Sequence, residues 1–260
     1  MKIAKIKKQT FAAVIVLLCG TACSTPPAKT QETPPSPSLV ALHDVDPTII
    51  QEMRYATNHN FIGRPIKGYD APHCLLTKEA AHALSQVQAE LKTQSMSLKV
   101  YDCYRPQRAV DDFVAWASDL TALKMKKEFY PKVEKTTLFK DGYIAKKSGH
   151  SRGSTMDLTI VSLPAEPEAS FKEGQKLEEC FLPEGRRFDD NSLDMGTGYD
   201  CFDLLSHTDN PAISSAQKQN RLLLKSLMEK YGFKNLYTEW WHYTLKDEPY
   251  PTQYFDFEIK

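Results

Sequence analysis

The chain has 260 residues, of which 41% are hydrophobic, 25% charged and 10% aromatic. This composition is typical of one globular domain with a sizeable core and argues against intrinsic disorder. The 33 basic and 33 acidic residues cancel, so no basic excess favours a nucleic-acid partner.

The first 22 residues resemble a bacterial export signal. Lysines precede an apolar run, Phe11 to Leu18, which is too short to cross a bilayer as a helix. Small residues then lead to Cys23, the position that a lipoprotein signal would place for cleavage and lipidation. Gly20 stands where such signals usually carry leucine, so a plain secretory signal remains the alternative. Because Ser24 is not typical of inner-membrane retention, we expect a periplasmic lipoprotein anchored to the outer membrane.

Residues 23–39 form a predicted linker, and residues 40–260 a single folded domain. Prolines favour extended, solvated backbone, so the linker would hold the domain away from a membrane surface. The linker prolines are Pro26, Pro27, Pro34, Pro35 and Pro37.

Four cysteines lie in the predicted domain. An exported protein meets an oxidising compartment, so this even number suggests two disulfides, for which three pairings exist. We favour Cys74–Cys103, because Cys103 follows a predicted strand and Cys74 precedes the helix expected to pack on it. Cys180–Cys201 is then the second pair. Free buried thiols are the alternative, and the absence of a CxxC pair argues against a zinc cluster.

Hydrophobic periodicity predicts helices mixed with short strands, without a regular βαβ alternation. This pattern indicates an α+β fold in one domain. Helices are predicted over residues 77–93, 108–123 and 216–231, and strands over 98–101, 156–160 and 238–244.

The segment 163–193 is long, polar and rich in Pro and Glu, which predicts a surface insertion. In the strand before it, Met156 and Leu158 flank Asp157. Since side chains alternate along a strand, Asp157 is expected on the face opposite its apolar neighbours.

Two short segments concentrate residues that can bind a metal. The first is SGHSRGSTMD at 148–157, which contains His150 and Asp157, and the second is EWWH at 239–242, which ends at His242. A catalytic zinc usually takes three protein ligands and leaves a position for water. Each spacing alone is weak, since a loop histidine, a strand-edge aspartate and an aromatic core strand would explain the same residues.

Together, however, the two segments resemble the signature of the D-alanyl-D-alanine dipeptidases. This zinc peptidase family includes the vancomycin-resistance dipeptidases and is related to D,D-carboxypeptidases and the hedgehog domain. The resemblance covers about residues 40–260, and the insertion is the main departure, since it is longer than in the resistance enzymes. Further matching segments are YAT at 55–57, NF at 60–61, GY at 68–69, DCYRPQ at 102–107, YP at 130–131, MGTGYD at 195–200 and DEPYPTQYFDF at 247–257.

The resemblance implies a small, antiparallel-rich central sheet flanked by helices, and one Zn²⁺ per chain. It also implies a role for each matching residue. The zinc ligands would be His150, Asp157 and His242. Glu239 would act as general acid/base and Arg105 would stabilise the oxyanion. Ser148, Asp200 and Tyr69 would lie near the free amino end of the substrate.

The spacing of Glu239 and His242 leaves the orientation of Glu239 undetermined. Glu239 and His242 are separated by an odd number of residues, so in a straight strand they would face opposite sides. Either Glu239 precedes the regular strand or a bulge reorients it.

The expected activity is hydrolysis of the dipeptide D-alanyl-D-alanine by zinc-activated water. A D,D-carboxypeptidase that trims peptidoglycan stem peptides is the first alternative. A zinc-bearing binding module without catalysis is the second, but a pure binding site would need neither Glu239 nor Arg105.

Overall fold

The structure, a computed structural model, describes residues 38–260. The predicted signal, the predicted lipidation site Cys23 and the linker up to residue 37 lie outside the described residues. Within residues 38–260, no helix is both long and apolar enough to cross a membrane.

The described chain contains two sheets and five α-helices, with short 3₁₀ turns between them. The strands are β1 (Leu39–Ala41), β2 (Ile50–Gln51), β3 (Leu75–Thr77), β4 (Met96–Asp102), β5 (Thr155–Ser162), β6 (Phe233–Asn235) and β7 (His242–Leu245). The helices are α1 (Leu42–Val45), α2 (Lys78–Lys92), α3 (Gln107–Ser118), α4 (Lys126–Phe129) and α5 (Ser215–Lys230).

The main sheet has five strands in the order β2-β4-β5-β7-β6. Only β2 and β4 run parallel, and the remaining neighbours are antiparallel. A separate antiparallel pair joins β1 to β3. The α+β class and the antiparallel-rich central sheet expected from the sequence are confirmed.

Each of the six predicted helices and strands is present, with end residues that differ from the prediction. Helix α2 begins after Thr77, whose hydroxyl accepts a hydrogen bond from the amide of Ala80 at 3.3 Å. Helix α3 ends at Ser118 rather than at residue 123, because the Asp119 carboxylate binds the Thr121 amide at 3.0 Å and competes with the helix. The strand predicted from residue 238 begins only at residue 242.

The two faces of β5 are covered by different parts of the chain. Met156, Leu158 and Ile160 lie in the larger hydrophobic cluster, together with apolar side chains of α2 and α5. Burying each such side chain contributes roughly 1.5–3 kcal/mol. Asp157 and Thr159 point to the opposite face, as the alternation predicts.

The insertion 163–193 covers part of this second face, so it is not a peripheral loop. The fully buried Lys99 ammonium of β4 binds Glu168 at 2.8 Å, and the hydroxyl of Thr159 binds that of Ser192. The structure assigns no helix or strand to this insertion. Its conformation therefore depends on contacts with the rest of the domain, among them these polar contacts with the sheet.

Both disulfides favoured from the sequence are present. Cys74–Cys103 joins the segment before β3 to the residue after β4. Cys180–Cys201 joins the insertion to the loop that follows it.

Candidate active site

Three acidic or basic side chains meet in one row across the main sheet. Asp157 on β5 lies opposite Asp102 on β4 and opposite His242, the first residue of β7. Directly opposed residues have Cβ atoms about 4.5–5.5 Å apart. The register shifts between Val100 and Asp102, which marks an irregularity next to the site. Strand pairing alone therefore brings His242 to Asp157 across a long stretch of sequence.

His150 enters the site from a single 3₁₀ turn, Gly149–Arg152, just before β5. The Ser148 hydroxyl accepts a hydrogen bond from the His150 amide at 3.3 Å and begins the turn. Gly153 ends it at a φ of 81°, a conformation that favours glycine. The Nδ1 atom of His150 lies 2.8 Å from the carbonyl of Cys103, which can only accept. Nδ1 therefore carries the proton, and Nε2 is free to bind a metal.

The ligand atoms of His150, Asp157 and His242 all lie within 4.8 Å of one another. Asp157 Oδ1 is 3.3 Å from His150 Nε2 and 3.0 Å from His242 Nδ1, yet it is buried without a hydrogen bond. A buried carboxylate oxygen without a partner is costly. Since two imidazoles and a carboxylate are also ligands that zinc accepts, the residues fit a divalent metal ion.

The other oxygen of Asp157 is oriented by two neighbours. Asp157 Oδ2 accepts a hydrogen bond from the Tyr199 hydroxyl at 3.0 Å, and Arg105 Nη2 lies 3.6 Å away. Burial alone would raise the pKa of Asp157, but the neighbouring imidazoles of His150 and His242 hold it below its ordinary value. The carboxylate is therefore ionised, as a metal ligand must be.

Arg105 is held in place by Asp102. The Arg105 Nε atom donates to Asp102 Oδ2 at 2.8 Å, and the Tyr69 hydroxyl donates to Asp102 Oδ1 at 2.6 Å. Tyr69 does not line the cavity described below, so its expected contact with the amino end of the substrate is not supported. The short hydrogen bond to Asp102 directs its hydroxyl toward the carboxylate that orients Arg105.

Glu239 precedes the regular strand, which answers the question of its separation from His242. Its amide donates to the Leu236 carbonyl at 2.9 Å, so Glu239 closes a turn before β7 begins. Its carboxylate lies 3.5 Å from His242 Nδ1, with 26% of the side chain exposed. Burial of the site raises the pKa of Glu239 above its ordinary value.

The candidate metal ligands line one cavity of about 200 Å³, together with Arg105 and Glu239. Typical pockets for drug-sized ligands are roughly 300–1,000 Å³, so this cavity suits a small substrate. No residue of the insertion 163–193 lines it. The predicted site residues that line the cavity are Arg105, Ser148, His150, Asp157, Asp200, Glu239 and His242.

Asp200 is the buried acid of the cavity, 6% exposed. It accepts a hydrogen bond from the Tyr55 hydroxyl at 2.7 Å, and no ion pair among residues 38–260 includes it. Burial and the nearby charge of Asp157 raise its pKa well above the ordinary value. A cation bound in the cavity would relieve this penalty, because an opposite charge favours the ionised carboxylate.

Sequence reasoning assigned no role to Tyr55, Asp102 and Tyr199, although each holds a site residue. All three lie in segments that carry the family resemblance, at 55–57, 102–107 and 195–200. Their partners are 145, 3 and 42 residues away in the chain, respectively. Only Asp102 and Arg105 are close enough for the sequence to suggest the pairing.

Sequence comparison with known proteins identifies the family of this chain. The peptidase M15 family, described as D-ala-D-ala dipeptidase, matches residues 36–170 and 165–260. A D-alanyl-D-alanine dipeptidase of Enterococcus faecium is 38% identical over 210 residues, covering 80% of this chain and 92% of that protein. The corresponding proteins of Streptomyces coelicolor and Escherichia coli are 38% and 30% identical, covering 80% of this chain and 91% and 84% of their own lengths. The chain therefore belongs to the D-alanyl-D-alanine dipeptidase family of peptidases and is a hydrolase.

Proposed function

We propose that this protein is a zinc-dependent dipeptidase that hydrolyses D-alanyl-D-alanine to two molecules of D-alanine. The observation that carries the proposal is a small cavity with a triad of candidate metal ligands and, separately, a buried carboxylate that has no ion-pair partner among residues 38–260. A free dipeptide offers both groups that such a cavity would bind: a carbonyl to be cleaved and an ammonium group.

Zinc held by His150, Asp157 and His242 would supply Lewis-acid activation of water, whose pKa it lowers to about 7. Glu239 accepts the proton of the attacking water and later passes it to the leaving amine. Its raised pKa supports both transfers. The Arg105 guanidinium, oriented by Asp102, donates hydrogen bonds to the oxygen that becomes negative, and losing such a donor typically costs about 3–4 kcal/mol.

Asp200 and Ser148 recognise the amino end of the dipeptide. Both line the cavity, and the buried Asp200 carboxylate gains an ionic partner when an ammonium group binds. A longer peptide would bring an uncharged amide to the same place and leave the carboxylate unpaired. Discrimination of this kind can be large, because the binding site's own polar group is left without a partner. The alternative, a D,D-carboxypeptidase, would have to accept that amide.

A hydrolysis panel with the purified, zinc-loaded protein tests the proposal. We expect rapid cleavage of D-alanyl-D-alanine, and no cleavage of N-acetyl-D-alanyl-D-alanine or of a pentapeptide stem. Release of the terminal D-alanine from the pentapeptide at a similar rate would favour the carboxypeptidase. His150→Ala is the control for metal dependence, and we expect it to lose both bound zinc and activity.

We also propose that the enzyme acts outside the cytoplasm and is lipidated at Cys23. Two disulfides in the domain support an oxidising compartment. Metabolic labelling with palmitate should label the wild-type protein in the membrane fraction, and Cys23→Ala should abolish the label. An unlabelled wild-type protein in the soluble periplasmic fraction would point instead to the plain secretory signal.

A further inference from the structure

The loop of residues 196–201 brings two side chains into the active site. The hydroxyl of Tyr199 donates to the metal ligand Asp157 at 3.0 Å, and the next residue, Asp200, accepts from Tyr55 at 2.7 Å. Both side chains are buried. The conformation of this loop therefore decides where the carboxylate proposed to bind the amino group lies.

Asp200 has a backbone conformation that is unfavourable for it. Its φ is 56°, in the left-handed region that residues with a Cβ rarely adopt. Aspartate tolerates this region better than most residues, but such a conformation persists only where the surroundings impose it. Asp200 thus needs restraint from the residues around it.

Part of this restraint comes from the insertion 163–193, which holds the chain on both sides of Asp200. Cys201, the next residue, is bonded to Cys180 of the insertion. Two residues before Asp200, the amide of Gly198 donates to the Cys180 carbonyl at 2.8 Å. Cys180 is itself fixed, because its own amide donates to the carbonyl of Glu128 in α4 at 3.0 Å.

Tyr199 has a second, independent support. Its ring stacks on Tyr101 of β4, with 4.4 Å between ring centroids, and packs edge-on against Trp241. Loss of the Cys180–Cys201 bond would therefore release Asp200 more than Tyr199. The metal ligands, Glu239 and Arg105 all lie outside residues 196–201.

We propose that the insertion is a positioning element for substrate binding: the Cys180–Cys201 disulfide holds Asp200 in its left-handed conformation and thereby sets the affinity for the free amino group of the dipeptide. Cys180 and Cys201 do not line the cavity, so they act only through Asp200. The proposal rests on the proposed role of Asp200. It predicts that the insertion, although remote from the cavity, affects KM much more than kcat.

The test is a double-mutant cycle on the zinc-loaded, full-length protein. Cys180→Ser/Cys201→Ser is combined with Asp200→Asn, and kcat and KM for D-alanyl-D-alanine are measured for all four proteins. We expect loss of the disulfide to raise KM at least 5-fold, with kcat changed less than 2-fold and zinc content unchanged. In the Asp200→Asn background, loss of the disulfide should raise KM no further.

A second measurement covers the case in which the double cysteine variant does not fold. The folded wild-type protein is reduced under native conditions, and the free thiols are labelled and assigned by mass spectrometry. Molecules reduced at Cys180 and Cys201 should show the same rise in KM, reversed on reoxidation.

The outcomes separate this inference from the proposed function. If Asp200→Asn leaves KM unchanged, the proposed role of Asp200 is wrong and this inference is wrong with it. If Asp200→Asn raises KM but loss of the disulfide does not, only this inference is wrong. A loss of kcat with unchanged KM, or an equal rise in KM in both backgrounds, would mean a general structural role and would also overturn it.

Discussion

Glu239 lies in the turn before β7, and this placement is what directs its carboxylate to the cavity. The turn is closed through backbone atoms, since the Glu239 carbonyl accepts from the Asn235 side chain at 3.0 Å and its amide donates to Leu236. A change of the Glu239 side chain therefore leaves these turn contacts intact. The proposed role of Glu239 can be tested without disturbing the fold.

We expect Glu239→Gln to lower kcat by roughly 10²–10⁴-fold, because an amide cannot accept the proton of the attacking water. The metal content should match that of the wild-type protein, since Glu239 is not among the three ligands. Steady-state kinetics on D-alanyl-D-alanine and elemental analysis check the two expectations. A variant that retains the wild-type kcat would remove Glu239 from the mechanism.

Tyr199 provides a test of the proposed metal ligand Asp157, because its hydroxyl donates a hydrogen bond to Asp157 Oδ2 and orients the carboxylate. Groups that orient a metal ligand typically change metal affinity about 10–100-fold when removed. We therefore expect Tyr199→Phe to weaken zinc binding by about 10-fold, measured by competition with a chelating dye. Tyr55→Phe is the matched control, since that hydroxyl donates to Asp200, which is not a ligand. Equal zinc affinity in all three proteins would contradict the orienting role.

At the scale of elements, the position of the insertion depends on packing against the buried His59 as well as on the Cys180–Cys201 disulfide. The ring of His59 stacks on Phe171 of the insertion, 4.4 Å between centroids and 3° between planes. Its Nδ1 lies 3.0 Å from Arg54 Nη1, which can only donate, so Nδ1 is the acceptor. Burial and the Arg54 charge lower the pKa of His59 to about 2. The insertion therefore packs on a neutral imidazole.

Because the folded protein keeps His59 neutral, the contribution of His59 to the free energy of unfolding depends on pH. The unfolded chain binds a proton at His59 below its ordinary pKa of about 6.5, and the folded chain does not. The stabilisation is thus present above pH 6.5 and is lost as the pH falls toward 2. Between pH 6.5 and 4.5 we expect a loss on the order of 2 kcal/mol.

Thermal unfolding of His59→Gln provides the comparison. The variant should have a lower Tm at pH 7, since it loses the stacking, but its Tm should fall less steeply than that of the wild-type protein between pH 6.5 and 4.5. Glu128, whose pKa is raised by burial to about 7, lies 2.7 Å from His59 Nε2 and stabilises the folded protein as the pH falls, so Glu128→Gln is measured in parallel to separate its contribution. Parallel pH profiles would show that His59 is protonated in the folded state.

For the whole molecule, the proposed metal site would link three parts of the chain: the turn before β5, β5 itself and the start of β7. The candidate ligand atoms of these parts lie close together: His150 Nε2 and His242 Nδ1 are 3.3 Å and 3.0 Å from Asp157 Oδ1 and 3.3 Å from each other. A metal that binds only the folded state stabilises it by about 2.7 kcal/mol at a concentration of 100 Kd. Metal occupancy should therefore affect the stability of the entire domain.

Removal of zinc with a chelator should lower the Tm by roughly 5–10 °C, taking about 2–4 °C per kcal/mol for a domain of this size. Differential scanning calorimetry before and after chelation, and again after zinc is restored, measures the shift. In His150→Ala, which lacks a ligand, the Tm should not respond to the chelator. A wild-type Tm that is insensitive to zinc would contradict a site that joins these three segments.

The sequence by itself determined the features that depend on near neighbours. Helices α2, α3 and α5 follow from apolar residues at helical spacing, and alternation along β5 placed Asp157 opposite Met156 and Leu158. The two candidate metal-binding segments were identified because together they resemble a family signature, although each spacing alone is weak. The disulfide partners followed from the positions of the cysteines relative to predicted elements. Local propensity and side-chain periodicity are properties of a few consecutive residues, so they can be read without the fold.

The tertiary structure alone decided how distant segments meet. The insertion, predicted as a surface feature, covers buried polar residues of β4 and β5, and it holds the loop of Asp200. Tyr69 binds Asp102 rather than facing the cavity, and Glu239 is oriented by a turn that ends before β7. Each of these depends on hydrogen bonds or packing between residues far apart in the chain, such as the 145 residues between Tyr55 and Asp200. Local patterns carry no information about such pairs, because only the paired sheet and the packed core bring them together.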